Sequence, residues 1–296
     1  MSRVSSTVWQ VGGQPARIQR RGRYLPGSNA HPGKMLPALA REAISRYSHP
    51  GELVLDPMCG IGTTLVEAIH LGRRAVGVEL EPRWAALATA NLAHARQQGA
   101  PGHGSALQGD ARELGQGLAD QHAGEVSLIL TSPPYGPSLH GQVRKGDGRV
   151  RKFDDRYSHN PDNLAHLPQR SGRRPSFETA LGEILAACAR MLRADGRLVL
   201  TVRPYRRAGR LVDLPGQLEQ LAASNGLDLC AREAALLCGL DGDSVIPRAS
   251  FFQINHQRKG AIPRMLIIAH EDVLVFQPAR ATSTSGRGTP RDGGGQ

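Results

Sequence analysis

Short apolar runs alternate with segments of helical period along most of this chain, and that alternation restricts the fold more than any other feature. Leu53 to Asp56, Ala75 to Glu79, Val126 to Leu130, Arg197 to Val202, Leu227 to Cys230, Met265 to Ala269 and Val273 to Phe276 read as strands. Between them, Thr63 to Leu71, Pro82 to Arg96, Phe177 to Leu192 and Leu214 to Ser224 read as helices, preceded by a helix from Met35 to Tyr47. Pro82 suits a first helical turn, and Leu181, Ile184, Leu185, Cys188, Met191 and Leu192 make one apolar stripe. Strands alternating with helices form an open, mostly parallel sheet covered on both faces. Only His270, Glu271 and Asp272 separate the last two runs, so they are expected to pair as an antiparallel hairpin at the sheet's edge.

Outside that pattern lie three segments. Residues 1–29 carry Arg17, Arg20, Arg21 and Arg23 and read as a basic arm with little core of its own. Residues 136–176 lose all periodicity and gather Arg144, Lys145, Arg149, Arg151 and Lys152 among Gly, Pro and His. The stretch 279–296, rich in Gly, Ser, Thr and Arg, has the composition of a disordered tail. The catalytic domain is therefore expected to span 30–278.

A net charge of +11 favours polyanionic partners, and with aromatics at only 4 % basic side chains must carry that attraction. Cys59, Cys188, Cys230 and Cys238 have no paired metal-site spacing, so neither a zinc site nor a disulfide framework is expected. No apolar run has the length of a signal peptide core or a membrane span, which makes the cytoplasm the expected location.

Two turns carry chemistry. Leu53-Val54-Leu55-Asp56-Pro57-Met58-Cys59-Gly60-Ile61-Gly62-Thr63-Thr64 is a strand, a glycine turn and a helix start, where backbone amides can approach an anionic group closely. Glu79 ends the next strand about 20 residues later, the position of the ribose-binding acid in nucleotide-binding α/β folds. Asp110 after Gly109 can either accept from an adenine amine or cap a helix. The second turn, Thr131-Ser132-Pro133-Pro134-Tyr135, places a hydroxyl, backbone carbonyls and a ring at a sheet's carboxyl edge. Such a device grips a planar amine: Ser132 Oγ and the Pro133 carbonyl accept its hydrogens while Tyr135 stacks on the ring.

Asp56-Pro57-x-x-Gly60-x-Gly62-Thr63, Glu79, Asp110 and Ser132-Pro133-Pro134-Tyr135, in that order, resemble the motifs of S-adenosylmethionine-dependent amino-methyltransferases, specifically the DNA N4-cytosine group. His31-Pro32-Gly33-Lys34 resembles the family motif that closes over the methionine part of the cofactor, and Ala269 to Phe276 resembles the hairpin that ends such domains. The resemblance spans roughly Ala30 to Phe276. It implies a Rossmann-like seven-stranded methyltransferase sheet with an antiparallel C-terminal hairpin. It further implies S-adenosylmethionine as cofactor, held by His31, Lys34, Asp56, Pro57, Gly60, Gly62, Thr63, Glu79 and Asp110, and direct transfer to nitrogen at Ser132 to Tyr135. Serine at the first position points to cytosine N4 in DNA, as in restriction-modification systems; an Asp or Asn there is usual for adenine N6. Guanine N2 in transfer RNA and adenine N6 in DNA are the alternatives. No Pro-Cys dipeptide of a covalent C5 enzyme is present, and Cys59 in the cofactor turn reads as a small buried residue. The basic insertion, with Arg144, Lys145, Arg149, Arg151 and Lys152, is the candidate nucleic-acid contact, whether it reads bases or clamps phosphates.

Overall fold

The computed structural model describes residues 6–115, 117–134, 142–146, 149–153, 160–168, 175–207, 210–247 and 267–279. In chain order the elements are β1 (Val8–Gln10), α1 (Ala16–Arg20), α2 (Pro37–Tyr47), β2 (Leu53–Asp56), α3 (Thr63–His70), β3 (Arg74–Glu79), α4 (Pro82–Gln97), β4 (His103–Gln108), α5 (Leu118–Gln121) and β5 (Val126–Thr131). Then follow β6 (Gln142–Gly146), β7 (Arg149–Phe153), α6 (Phe177–Met191), β8 (Leu192–Val202), β9 (Tyr205–Arg207), β10 (Arg210–Val212), α7 (Leu214–Ala223), β11 (Leu227–Leu236), β12 (Gly239–Asp241), β13 (Ser244–Ile246) and β14 (His270–Pro278).

Eight strands form the main sheet in the order β1-β11-β14-β8-β5-β2-β3-β4. All neighbours are parallel except β14, which runs antiparallel to both β8 and β11. Because both faces are covered, alternate residues of the central strands enter two different cores. Leu55, Ile129, Leu198 and Phe276 pack with Leu181, Ile184 and Leu185 of α6 on one face. Val54, Leu128, Leu130, Val199 and Val275 pack with Leu39, Ile44, Leu65 and Ile69 of α2 and α3 on the other. This double burial explains why β2 and β5 read as unbroken apolar runs. Helix starts follow local chemistry: Pro37 and Pro82 open α2 and α4, while Ser176 Oγ accepts from Thr179 N at 3.1 Å to cap α6.

The structure corrects three expectations. Residues 1–29 are not a core-free arm within the part described: Trp9 and Val11 are buried, and β1 adds an eighth, parallel strand beside β11. Tyr24 Oη donates to Glu67 Oε1 at 2.7 Å, and Arg23 spans both Glu67 oxygens at 2.7 and 2.6 Å. Second, His270, Glu271 and Asp272 do not turn; they belong to β14, whose antiparallel partners are β8 and the distant β11, while 267–269 are not strand. Met265 and Leu266 lie outside the described residues. Third, the insertion is not wholly unpatterned. β6 and β7 pair antiparallel from Gln142 opposite Phe153 to Gly146 opposite Arg149, and Asn163, Leu164 and Ala165 are buried in the domain. The tail beyond 279 lies outside the described residues. Among the described residues, no helix is long and apolar enough to cross a membrane.

Candidate active site

The glycine turn between β2 and α3 is pinned at both ends by Asp56. Its Oδ1 accepts from Met58 N at 3.1 Å and its Oδ2 from Thr64 Oγ1 at 2.7 Å. Burial raises the Asp56 carboxyl to about 6, against the opposing pull of those donors. Gly60 and Gly62 sit at φ of 55° and 78°, the left-handed region that side chains disfavour. A Cβ on Gly60 would stand 3.3 Å from His31 Nε2, in the narrow space between the turn and the His31 segment. α3 begins immediately afterwards without a side-chain cap, and Thr63 Oγ1 is buried with no hydrogen-bond partner among the described residues.

Glu79 at the end of β3 reaches back to this turn. Oε2 accepts from Gly60 N at 2.8 Å and Oε1 from Glu81 N at 2.8 Å. Burial raises Glu79 to about 7, more than the two amides lower it. An acid held above its unfolded value is least costly when protonated. Stability without ligand is therefore expected to fall as pH rises from about 4, the unfolded value of these acids, through the folded values of about 6 for Asp56 and about 7 for Glu79. Affinity for a ribose diol, which needs the ionised acceptor, should rise over the upper part of that range. Urea melts and calorimetric titrations with S-adenosylmethionine across pH measure the two trends; Glu79→Gln should flatten the affinity trend and leave only the Asp56 part of the stability trend, below about 6.

Across the turn stands the segment before α2. His31 is 1 % exposed, its ring edge-on to Trp84 at 4.6 Å, and its Nδ1 accepts from Gly33 N at 3.2 Å. Lys34 Nζ donates to the carbonyls of Asn29 and His31. Burial, helped by the Arg20 charge, lowers Lys34 to about 8.

These groups border a cavity of about 220 Å³ at the carboxyl edge of the sheet. His31, Lys34, Asp56, Gly60 and Thr63 line one side, and Ser132, Pro133 and Pro134 at the end of β5 close the other. A smaller hollow of about 40 Å³ lies between Pro57, Glu79, Asp110 and Leu164, and Met58 and Pro134 border both spaces. Asp110 faces this hollow, but its Oδ1 also accepts from Arg112 N at 2.9 Å and its carboxylate pairs with the Arg112 guanidinium. Burial pushes Asp110 up, yet the Arg112 bonds outweigh it and hold the group below its usual value. The capping alternative thus describes its backbone contact, and any adenine amine would share the carboxylate with Arg112. Tyr135 lies outside the described residues. Arg144, Lys145, Arg149, Arg151 and Lys152 lie on the β6–β7 hairpin, of which the backbone pairing is described.

The sequence reading missed several cavity residues. Thr64 anchors the turn one place after the motif threonine, and Arg203 and Glu271 come from strand ends separated by 68 residues. Glu271 had one signal, an acid inside the Ala269 to Phe276 match. Cys59 is buried, and burial pushes its thiol well above the usual range, as fits a packing residue.

The residues present suit S-adenosylmethionine. Two adjoining hollows offer a glycine turn whose side-chain-free space borders His31, a Thr63 hydroxyl with no hydrogen-bond partner among the described residues, and the Glu79 carboxylate at the end of β3. Residues 2–90 match the DNA methylase family N6_N4_Mtase. A tRNA (guanine(10)-N2)-dimethyltransferase of Methanocaldococcus jannaschii is 34 % identical over 118 residues, 40 % of this chain and 32 % of that one. The type II methyltransferase M.MjaII of the same organism is 27 % identical over 74 residues, 25 % and 14 % of the two chains. The type II methyltransferase M.SmaI of Serratia marcescens is 37 % identical over 90 residues, 30 % and 27 %. The chain thus spans about a third or less of the length of these relatives. Over residues 2–90, under a third of its length, the chain is thus similar to the N4/N6 amino-methyltransferases, and its turns follow the motif order that the sequence resemblance implies.

Proposed function

We propose that this chain methylates an exocyclic amine of a nucleobase, with cytosine N4 in DNA as the target. The observation that carries the reading is the Ser132-Pro133-Pro134 turn, which closes the same cavity as the Gly60–Gly62 turn. S-adenosylmethionine supplies the methyl group on a sulfonium, which nitrogen can attack directly. Glu79 holds the ribose hydroxyls, the Gly60 to Thr63 turn and Lys34 receive the carboxylate of the methionine part, and His31 closes over it. Ser132 Oγ and the Pro133 carbonyl draw the amine hydrogens in plane, which leaves the nitrogen lone pair facing the methyl donor. The basic hairpin β6–β7 and Tyr135 are assigned to the phosphates and to stacking on a base turned out of the helix.

Ser132→Ala is expected to lower turnover about a hundredfold while cofactor affinity stays within about twofold, because the hydroxyl acts on the amine. Single-turnover rates and calorimetric titration with the cofactor separate the two. Wild-type turnover in this variant would remove Ser132 from the amine grip.

The second reading is guanine N2 in tRNA, favoured by the 34 % identity to the Methanocaldococcus jannaschii dimethyltransferase. The test is transfer of radiolabelled methyl to unmethylated genomic DNA and, in parallel, to bulk tRNA, followed by nucleoside mass spectrometry. N4-methyldeoxycytidine from DNA alone supports the main reading. Methylated guanosine from tRNA would replace it.

A further inference from the structure

Three adjacent strand ends of the sheet present polar side chains to the cavity from one face. Counting alternate residues from Leu130, Val199 and Val273, all in the core beneath α2 and α3, leads to Ser132 after β5, Arg203 after β8 and Glu271 at the start of β14. All three line the cavity. Extending the register by one residue sets Glu271 opposite Arg203 and Ser132 opposite Thr201, so with strands about 4.8 Å apart and about 3.3 Å per residue the backbones of Ser132 and Glu271 stand about 12 Å apart, with β8 between them.

Glu271 has no assigned task. Its neighbour Asp272 is spent on Arg232, at 3.0 Å, and packs structurally. While its backbone pairs with Ala235 in the sheet, the Glu271 carboxylate makes no hydrogen bond or ion pair with the described residues, and the charges that act on it are Arg203 and His270. A glutamate inside a strand, at a cavity, whose carboxylate has no bonded partner among the described residues is suited to a group that enters the cavity.

Resting on the methyl-transfer reading above, we propose that Glu271 is the proton acceptor of the reaction, reaching the target amine from the same sheet edge as Ser132 and two strands away, with Arg203 as its positioning residue. The nitrogen lone pair forms the new N–C bond as the S–C bond breaks and its electron pair stays on sulfur. The nitrogen then carries a positive charge and one hydrogen too many. That proton passes to the Glu271 carboxylate and from there to solvent, and the neutral methylated amine and S-adenosylhomocysteine leave. Ser132 and the Pro133 carbonyl can orient the amine, but neither can keep a proton at neutral pH, whereas a carboxylate can.

Burial raises the Glu271 carboxyl, and the Arg203 and His270 charges oppose that rise. The other charged or titratable groups lining the cavity among the described residues are His31, Lys34, Asp56 and Cys59, whose thiol burial keeps protonated. Since the base must be ionised, the rate should climb with pH through the value of Glu271.

The test uses the full chain. Single-turnover methyl transfer is measured from pH 5 to 9 for wild type, Glu271→Gln and Arg203→Ala, with cofactor affinity by calorimetry and folding by thermal melts. Carboxyl-labelled glutamate spectra of wild type and Arg203→Ala follow Glu271 directly. Glu271→Gln should lose about a hundredfold in rate and its acid limb, with cofactor affinity within about twofold. In Arg203→Ala the limb and the Glu271 carboxyl signal should move together to higher pH. Near-wild-type rate and an unchanged limb in Glu271→Gln would overturn the assignment while leaving the methyl-transfer reading intact. A limb that moves in Arg203→Ala while the Glu271 signal stays still would also overturn it. A wild-type chain inactive on DNA and tRNA alike would overturn both.

Discussion

Gly60→Val is expected to weaken S-adenosylmethionine binding about a hundredfold or more, the largest effect on the site. Gly60 sits at φ of 55°, where a β-branched residue is strained by roughly 1–2 kcal/mol. Its first side-chain carbon would stand 3.3 Å from His31 Nε2, and the two valine methyls would extend into the cavity or against that ring. The strained turn would also misplace Gly60 N, which orients Glu79 Oε2 at 2.8 Å. On the proposed reading, one substitution thus disturbs the approach to the methionine part and the ribose acceptor together. Calorimetric titration with the cofactor measures the loss, and a melt within a few degrees of wild type would show that it is local. Binding within threefold of wild type would mean that the ligand does not enter between the glycine turn and His31.

Glu67→Ala should produce the largest loss of stability, about 3 kcal/mol, and lower the melting temperature by several degrees. Glu67 is 0 % exposed in α3 and takes Tyr24 Oη, both nitrogens of the Arg23 fork and, at 3.4 Å, Arg41. Its removal leaves a buried phenol without an acceptor and cations facing a void, whereas Glu67→Gln keeps the Tyr24 bond and should lose about half as much. The damage should spread to the cofactor turn. The segment that Arg23 and Tyr24 anchor continues to Ser28, which bonds Asn91, and Asn91 Nδ2 donates to the Ile61 carbonyl at 2.9 Å. Urea unfolding of the three proteins gives the ranking. Equal stability in all three would show that the segment before α2 is not held through Glu67.

The part of the fold legible in the sequence is the part buried on both faces. β2, β5 and the second half of β8 are continuous apolar runs because α2 and α3 cover one side and α6 the other. β4, His103-Gly-Ser-Ala-Leu-Gln108, gives no such signal, since it is the half-exposed last strand of the sheet. β1 is only three residues long, and its pairing with β11 involves residues more than 200 positions away. His270 to Asp272 read as a turn because they are polar, yet they are polar for a reason that composition cannot carry. They sit where β14 enters the sheet beside the cavity, Asp272 paired with Arg232 and Glu271 facing the pocket.

The site divides the same way. The placement of Asp56, Gly60, Gly62, Glu79 and Ser132, the proposed site residues, is legible because each lies at or just after a strand end, and strand ends meet at one edge of a parallel sheet. The contributions of Arg203 and Glu271 depend on which strands become neighbours, which is set by topology. Likewise the buried Asn163 and Leu164, which border the smaller hollow, come from a stretch whose sequence has no period. The partner of Asp110 was one turn away in Arg112, but competition between an ion pair and a ligand cannot be read from spacing.

The central claim is that the space between the Gly60–Gly62 turn and the Ser132–Pro134 turn receives the methyl donor. Photo-cross-linking of tritiated S-adenosylmethionine to the full chain, followed by digestion and sequencing of labelled peptides, tests it most directly. Label is expected in peptides that border the two hollows, those containing residues 56–64, 79–81 or 132–134, and should be competed away by S-adenosylhomocysteine. Competable label confined to peptides outside the two hollows, or no competable label at all, would contradict the account.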